Sequence, residues 1–210
     1  MNRGTLSLKV CGMREPGNIE EIAALGPAYM GFIFFMKSPR YVGSDFKIPG
    51  LPATVEKVGV FVNESTNEVL RLAALHHLDY VQLHGQETVT QVSEIRDKGV
   101  GVIKVFSVDD EFNFAVTKPY SGHADLFLFD TKGKYPGGNA RRFNWEVLEK
   151  YDQSVPFFLS GGIGPNDIAD AVKLGEYNLH GLDINSGVEI RPALKDAERV
   201  RQVLNELNKI

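Results

Sequence analysis

Residues 156–164 are an apolar run that ends in a glycine-rich turn: Pro156-Phe157-Phe158-Leu159-Ser160-Gly161-Gly162-Ile163-Gly164. A helical pattern begins near Asn166, directly after this turn. Residues 181–184, Gly-Leu-Asp-Ile, form a second predicted strand, which is followed by Asn185-Ser186-Gly187. Glycines let backbone N–H groups approach an anion, and a helix N-terminus adds a favourable dipole. Glycines also serve simply as tight turns, but this pair of loops, residues 160–164 and 185–187, predicts phosphate binding.

Outward from this stretch, short β-branched or aromatic runs alternate with amphipathic runs along the chain. Strands are predicted at residues 6–10, 29–34, 57–61, 80–83, 102–106, 126–129, 156–159 and 181–184. Helices are predicted at residues 18–25, 67–77, 88–98, 144–151, 166–174 and 193–207. Residues 44–51 and 110–120 carry proline or irregular spacing, so short or broken helices are expected there. Such alternation predicts a parallel sheet covered by helices.

The positions of the polar motifs distinguish a closed sheet from an open one. Polar residues follow the first, second, fourth, sixth, seventh and eighth predicted strands. An open sheet binds ligands at one switch point, which would leave the outer loops far from the site. A closed sheet brings all these loops to one mouth, and two glycine loops after strands seven and eight match the phosphate site of such barrels. We therefore expect an α/β fold, a single-domain (β/α)8 TIM barrel over residues 1–210.

The charge and composition of the protein exclude several classes of binding partner. The net charge of −4 and the pI near 5.8 provide no basic footprint for nucleic acid, and they fit an anionic membrane poorly. The first residues do not form a signal-peptide core, and no stretch is long enough to span a bilayer. We expect a cytoplasmic protein without nucleic-acid or membrane partners, either a monomer or a homodimer. No P-loop, dinucleotide motif, zincin motif or metal-ligand spacing is found, so no cofactor or metal is expected.

Two residues are candidates for proton transfer. Cys11, the single cysteine, follows the first strand and could act as a base if a nearby cation or helix dipole lowers its pKa. Asp130 ends the sixth strand and could act as a general acid. A lone cysteine is also compatible with a buried structural role, and the aspartate with a turn cap. Together, on strands facing each other across a barrel, they suggest an acid/base pair.

Two further residues are candidates for substrate contacts. Arg40 lies in the loop Lys37-Ser38-Pro39-Arg40-Tyr41, and its planar fork suits a carboxylate. His84 follows the fourth strand and could contact a ligand. A solvated arginine and a hydrogen-bonded core histidine are the alternatives.

These motifs resemble those of the phosphoribosylanthranilate isomerase family. The matching blocks run in order along nearly the whole chain and include the following: Lys9-Val10-Cys11-Gly12-Met13, Gly31-Phe32-Ile33-Phe34, Lys37-Ser38-Pro39-Arg40-Tyr41, Val58-Gly59-Val60-Phe61-Val62-Asn63, Val81-Gln82-Leu83-His84-Gly85, Asp130-Thr131-Lys132, Leu159-Ser160-Gly161-Gly162-Ile163 and Ser186-Gly187-Val188-Glu189. The sequence departs from the family pattern at Gly137-Gly138-Asn139-Ala140 and at Asn185, where serine is usual.

The resemblance implies a barrel enzyme of tryptophan biosynthesis that needs no cofactor and acts on a small phosphorylated aminosugar. It implies that Cys11 is the general base and Asp130 the general acid of an Amadori rearrangement. It also implies that Arg40 lies near the anthranilate carboxylate and that Asp183, near the end of the last strand, lies near the substrate. It implies that Gly161, Gly162, Asn185 and Ser186 hold the phosphate.

Three alternative functions remain open on sequence grounds. A metal-dependent epimerase would need clustered histidines and carboxylates at strand ends, where only His84 plainly lies. An indoleglycerol-phosphate synthase would need a lysine acid on a barrel strand; Lys9 and Lys104 sit inside strands, but Cys11 would then have no role. A non-catalytic sugar-phosphate binder would not need both Cys11 and Asp130.

Overall fold

In a computed structural model of the protein, residues 6–132 and 143–209 are described. Eight parallel strands close into a barrel in the order of the chain. They are β1 (Ser7–Val10), β2 (Tyr29–Ile33), β3 (Glu56–Phe61), β4 (Tyr80–Leu83), β5 (Gly101–Val108), β6 (Leu126–Thr131), β7 (Phe157–Leu159) and β8 (Leu179–Ile184). The eight predicted strands and the closed (β/α)8 barrel are confirmed. The departure at residues 137–140 lies outside the described residues.

The barrel closes where β8 pairs with β1. Leu8 lies opposite Leu182 and Lys9 lies opposite Asp183 in this parallel pair. Gly181 permits the close approach, because a Cβ there would lie 2.1 Å from the carbonyl oxygen of Ser7. Closure is what brings the loops after the first and last strands to one mouth.

The described α-helices are α1 (Pro16–Ala23), α2 (Thr66–His76), α3 (Val89–Arg96), α4 (Ile168–Ala171) and α5 (Ala197–Leu207). Side chains stabilise three of their N-termini, since each accepts a bond from a free backbone N–H group of the first turn. Ser65 caps α2, Thr88 caps α3, and Asp196 caps α5 by accepting from two N–H groups.

Several helix predictions need correction. Residues 44–51 contain no helix, because Pro49 and Pro52 disfavour the helical conformation of the residues before them. The segment predicted over 110–120 is the 3₁₀ helix Phe114–Tyr120, and the segment over 144–151 is the 3₁₀ helix Trp145–Lys150. The helix predicted over 166–174 is divided between two 3₁₀ helices, Pro165–Asp167 and Val172–Glu176, with only α4 between them.

The last predicted helix, over residues 193–207, began too early. A small antiparallel hairpin of β9 (Glu189–Arg191) and β10 (Leu194–Lys195) precedes α5. Ala193 has a positive φ of 67°, which a helix does not accommodate. The hairpin was not predicted, and it places two charged side chains, Glu189 and Lys195, against Arg40 and Asn185.

Side chains alternate between the inside and the outside of the barrel, as the strand geometry requires. On β6, Phe127 and Phe129 belong to the large core packed with the helices, whereas Leu126 and Leu128 belong to a separate cluster. Asp130 continues the second series, so its side chain faces the barrel interior. The same alternation on β1 separates Leu8 and Val10, which are in the outer core, from Lys9 and Cys11.

Candidate active site

A cavity opens at the carboxyl ends of the strands, with about 620 Å³ of space that is partly open to solvent. Every residue predicted from the sequence to belong to the site lines it, namely Cys11, Arg40, His84, Asp130, Gly161, Gly162, Asp183, Asn185 and Ser186. Apolar side chains complete one wall, among them Ile33, Phe35 and Val60. The position agrees with the end of the barrel at which such proteins carry their sites.

Cys11 lies just beyond β1, buried at 3% exposure. Its backbone N–H donates to the Ile184 carbonyl at 2.9 Å, which ties the residue to the last strand. Gly31 leaves room for the thiol, because a Cβ there would lie 2.7 Å from Sγ. Burial raises the pKa of the Cys11 thiol, and the positive charge of Lys9 opposes that rise. Lys9 is a nearby cation of the kind that could lower the pKa of this thiol, but the effect of burial is larger and the pKa is raised.

Lys9 is fully buried inside the barrel. Its Nζ donates to Asp183 Oδ1 at 2.7 Å, and the Ser160 hydroxyl donates to Asp183 Oδ2 at 3.1 Å. Burial alone would lower the pKa of Lys9, but the pull of Asp183 and Cys11 outweighs it and the pKa is raised. Lys9 is therefore a buried cation, and Asp183 is engaged on both oxygens.

Asp130 is buried beside His84. His84 Nε2 lies 3.4 Å from Asp130 Oδ2, and the Gln82 amide lies 3.3 Å from His84 Nδ1. The aspartate therefore stands at the end of a polar row that leads from β4 to β6. A protonated carboxyl group here could donate to a ligand in the cavity.

The glycine turn after β7 adopts a conformation that only glycine accommodates easily. Gly161 and Gly162 have φ values of +105° and +71°. A Cβ on Gly161 would lie 2.0 Å from Thr131 Oγ1. The helix expected after this turn is a 3₁₀ segment followed by the four residues of α4, so backbone N–H groups rather than a long helix dipole are what the turn offers an anion.

Arg40 is paired within the protein. Its Nε and Nη2 donate to the two carboxylate oxygens of Glu189 at 2.8 and 2.7 Å. Lys195 Nζ donates to the same carboxylate at 2.7 Å and to Asn185 Oδ1 at 2.6 Å. Burial lowers the pKa of Lys195 to about 8, against the pull of Glu189. The guanidinium group of Arg40, which was expected to bind a ligand carboxylate, is already bonded to the carboxylate of Glu189 on β9.

Sequence reasoning assigned no role in the isomerase site to four residues of this network, Lys9, Ser160, Glu189 and Lys195; Lys9 was considered only for the synthase alternative. A signal existed for Lys9: it is a lysine at an interior-facing position of an apolar strand, two residues before Cys11. Ser160 and Glu189 lie inside quoted motifs without an assigned role. Lys195 gave no signal, because it fell within the residues predicted to be helix.

The part of the chain that the structure describes contains no group of three or more His, Cys, Asp and Glu side chains that could hold a metal ion. Among the same residues, no helix is long and apolar enough to cross a membrane.

The fold and the site define a class: a (β/α)8 barrel with a buried thiol, a carboxyl group and two glycine turns at the carboxyl ends of its strands. Within that class, the family model for N-(5'-phosphoribosyl)anthranilate isomerase matches residues 8–206. The chain belongs to the N-(5'-phosphoribosyl)anthranilate isomerase family.

Individual relatives agree with this assignment. An N-(5'-phosphoribosyl)anthranilate isomerase from Phocaeicola vulgatus is 43% identical over 200 residues, 95% of this chain and 97% of the relative. Another, from Parabacteroides distasonis, is 38% identical, and the alignment covers 95% of this chain and 92% of that relative. The crystal structure of phosphoribosyl anthranilate isomerase from Thermotoga maritima superposes with a TM-score of 0.85 at 28% identity, covering 98% of this chain and all of that one.

A further solved structure is of a phosphoribosyl anthranilate isomerase in complex with reduced 1-(o-carboxyphenylamino)-1-deoxyribulose 5-phosphate. It superposes with a TM-score of 0.81 at 27% identity and covers 98% of this chain and all of that one.

Proposed function

We propose that this chain catalyses the Amadori rearrangement of N-(5-phosphoribosyl)anthranilate to 1-(2-carboxyphenylamino)-1-deoxyribulose 5-phosphate, a step of tryptophan biosynthesis. Membership of the family supports the reaction. The observation that carries the assignment of roles is that Cys11 and Asp130 line one cavity together with the glycine turns after β7 and β8. A base, an acid and an anion site in one cavity are what this reaction requires.

Asp130, protonated, donates its proton to the ring oxygen of the furanose. The bond between that oxygen and carbon 1 breaks, and the anilino nitrogen lone pair forms an iminium with carbon 1. The thiolate of Cys11 then removes the proton from carbon 2, and the electron pair of that C–H bond neutralises the iminium. The resulting enolamine tautomerises to the ketone by losing its hydroxyl proton and gaining a proton at carbon 1.

Substrate is held at its two charged ends. The phosphate is bound by backbone N–H groups of the turns at Gly161, Gly162, Asn185 and Ser186, which face the same cavity as the acid and the base. The anthranilate carboxylate lies near Arg40, beside the arginine's bond to Glu189. Fixing both ends keeps carbon 2 and the ring oxygen between Cys11 and Asp130, which lowers the entropic cost of reaction.

Substitution tests the two roles. A positioned acid or base contributes about 10²–10⁴-fold, so Cys11→Ala and Asp130→Asn are each expected to lose that much in kcat with little change in KM. Asp125→Asn is a matched control, because Asp125 precedes the same strand and pairs with Arg96 at its other end; its kcat is expected to match the wild type. Near-normal turnover by either site variant would refute the role assigned to that residue, and binding of substrate without any wild-type turnover would indicate a sugar-phosphate binder.

All nine predicted site residues come from one chain, so a monomer suffices for the proposed reaction. A structure from Thermotoga maritima is described as monomers generated from a dimeric phosphoribosylanthranilate isomerase. A monomer or a homodimer, and one domain over residues 1–210, stay predictions for this chain.

A further inference from the structure

Lys9 has no part in the reaction steps above, although it is a fully buried cation in the wall of the barrel. Burying a charge is costly unless it is paired and hydrogen-bonded. The pairing here is with Asp183. An apolar residue would fill an interior position of β1 without that cost, so the position of this charge calls for an explanation.

Strand geometry puts the ammonium group and the thiol on one side of β1. Lys9 and Cys11 are two residues apart, so both side chains point away from the outer core occupied by Leu8 and Val10. Lys9 lies close enough to lower the pKa of the Cys11 thiol, against the larger effect of burial.

Other charged groups also act on the thiol. Asp183 on β8 raises the pKa of Cys11, and Lys195 on β10 lowers it less than Lys9 does. The thiol in turn raises the pKa of Arg40, from the loop after β2. Lys9 is the cation with the largest effect on the thiol, and the bonds from Lys9 and Ser160 to Asp183 keep the carboxylate engaged on both oxygens.

We propose that Lys9 is a positioning residue whose ammonium group stabilises the thiolate of Cys11, and that Asp183 and Ser160 hold the lysine in place for this purpose. The inference rests on the proposed function, because it explains how a buried thiol can serve as the base. It predicts that Lys9 acts through the ionisation of Cys11 and not through contact with the substrate.

Cys11 is the single cysteine of the chain, so alkylation by iodoacetamide reports on this thiol alone. The rate of modification follows the thiolate fraction, and its midpoint in pH can be measured without turnover. Lys9→Met is expected to move the midpoint to higher pH, whereas Lys9→Arg, which keeps the charge, is expected to move it back toward the wild-type value. Below the midpoint, the thiolate fraction falls about tenfold for each unit by which the pKa rises.

A matched control is Lys104→Met. Lys104 is also a buried barrel lysine paired with a carboxylate, at 2.7 Å from Glu87 Oε2, but it is not among the charges that act on Cys11. Its midpoint is expected to match the wild type. An unchanged midpoint in Lys9→Met, or an equal rise in Lys104→Met, would overturn the proposal.

Lys9→Met leaves Asp183 buried without its cation, and this variant could fail to fold. The double variant Lys9→Met/Asp183→Asn removes both charges, and its midpoint is compared with that of Asp183→Asn alone. A higher midpoint in the double variant supports the role of Lys9, and equal midpoints overturn it. Turnover then separates the two proposals: if Cys11→Ala keeps full activity, the catalytic role of Cys11 fails whatever the alkylation midpoints show.

Discussion

At the scale of single residues, the site depends on ionisable groups held out of water. Cys11, Lys9, Asp130 and Asp183 are all buried, and each has a side chain facing the barrel interior. Site roles for Cys11 and Asp130 were indicated by the sequence pattern, and a role for Asp183 by the family resemblance. The pairing of Arg40 with Glu189 could not be predicted, because it joins residues far apart in the chain through a hairpin that the sequence pattern did not indicate.

If Cys11 is the base, as proposed, its raised pKa makes activity depend on pH. A base must be deprotonated to act, and burial holds the pKa of this thiol above its ordinary value of 9.0. The mechanism also needs a protonated Asp130, so the titration of the thiol is isolated in Asp130→Asn, which carries no ionisable acid at that position. We therefore expect the residual kcat/KM of this variant, which reports on the free enzyme, to rise with pH from neutrality through pH 9. Initial rates at subsaturating substrate over this range provide the measurement. A profile that is flat across the range would contradict a buried thiol as the base.

Glu189 lies between two cations, and its removal is expected to destabilise the fold. Burial alone would raise the pKa of Glu189, but Arg40 and Lys195 outweigh it and hold the pKa below the ordinary 4.5. Glu189→Gln leaves both cations buried without their carboxylate, a change that typically costs about 3–5 kcal/mol. Urea unfolding at neutral pH measures the loss.

The sign of the pH dependence provides a second check on Glu189. A carboxyl group whose pKa is lowered by folding stabilises the protein fully above its unfolded pKa, and this contribution is lost as the pH falls. The difference between wild type and Glu189→Gln should therefore shrink below pH 4.5. A difference that stays constant on acidification would show that the ion pairs are not its cause.

At the scale of elements, strands were predicted more accurately than helices. Each strand is a short apolar run bounded by polar residues, and its partners on both sides reinforce the same pattern. The described parts of the segments after β2, β5, β6 and β7 are less regular, because prolines or short spans leave too few i→i−4 bonds for a stable α-helix. The conformation of such segments is determined by tertiary contacts, which a single sequence does not reveal.

The turn after β7 gives a prediction at this scale. Gly161 has a φ of +105°, and a Cβ there would lie 2.0 Å from Thr131 Oγ1. Gly161→Ala is expected to lose about 1–3 kcal/mol of stability through backbone strain and to raise KM by displacing the phosphate-binding N–H groups. Gly175→Ala is the matched control, since nothing lies within 4 Å of a Cβ there. Unchanged KM and stability in Gly161→Ala would contradict the assignment.

At the scale of the whole molecule, closure of the sheet creates the site. Cys11 follows β1 and Asp130 is the next-to-last residue of β6, and the cavity between them exists because β8 pairs with β1. The order of motifs along the sequence was enough to predict this arrangement, since only a closed sheet brings the first and last loops together. The charge network around Glu189 could not be predicted, because it depends on distances across the barrel.

We expect activity not to depend on association, because the nine proposed site residues all line one cavity of a single chain. Turnover per chain should stay constant when the protein is diluted across the concentrations at which its oligomeric state changes, as followed by light scattering. A fall in turnover that tracks dissociation would instead show that a partner copy supplies part of the site.

The most direct measurement is a crystal structure of this protein bound to reduced 1-(o-carboxyphenylamino)-1-deoxyribulose 5-phosphate. We expect the phosphate to lie against the N–H groups of the turns at Gly161 and Ser186, with carbon 2 of the sugar facing Cys11 Sγ and the Asp130 carboxyl group across the cavity. A phosphate bound elsewhere, or a sugar carbon out of reach of the thiol, would contradict the assignment of Cys11 and Asp130 as base and acid.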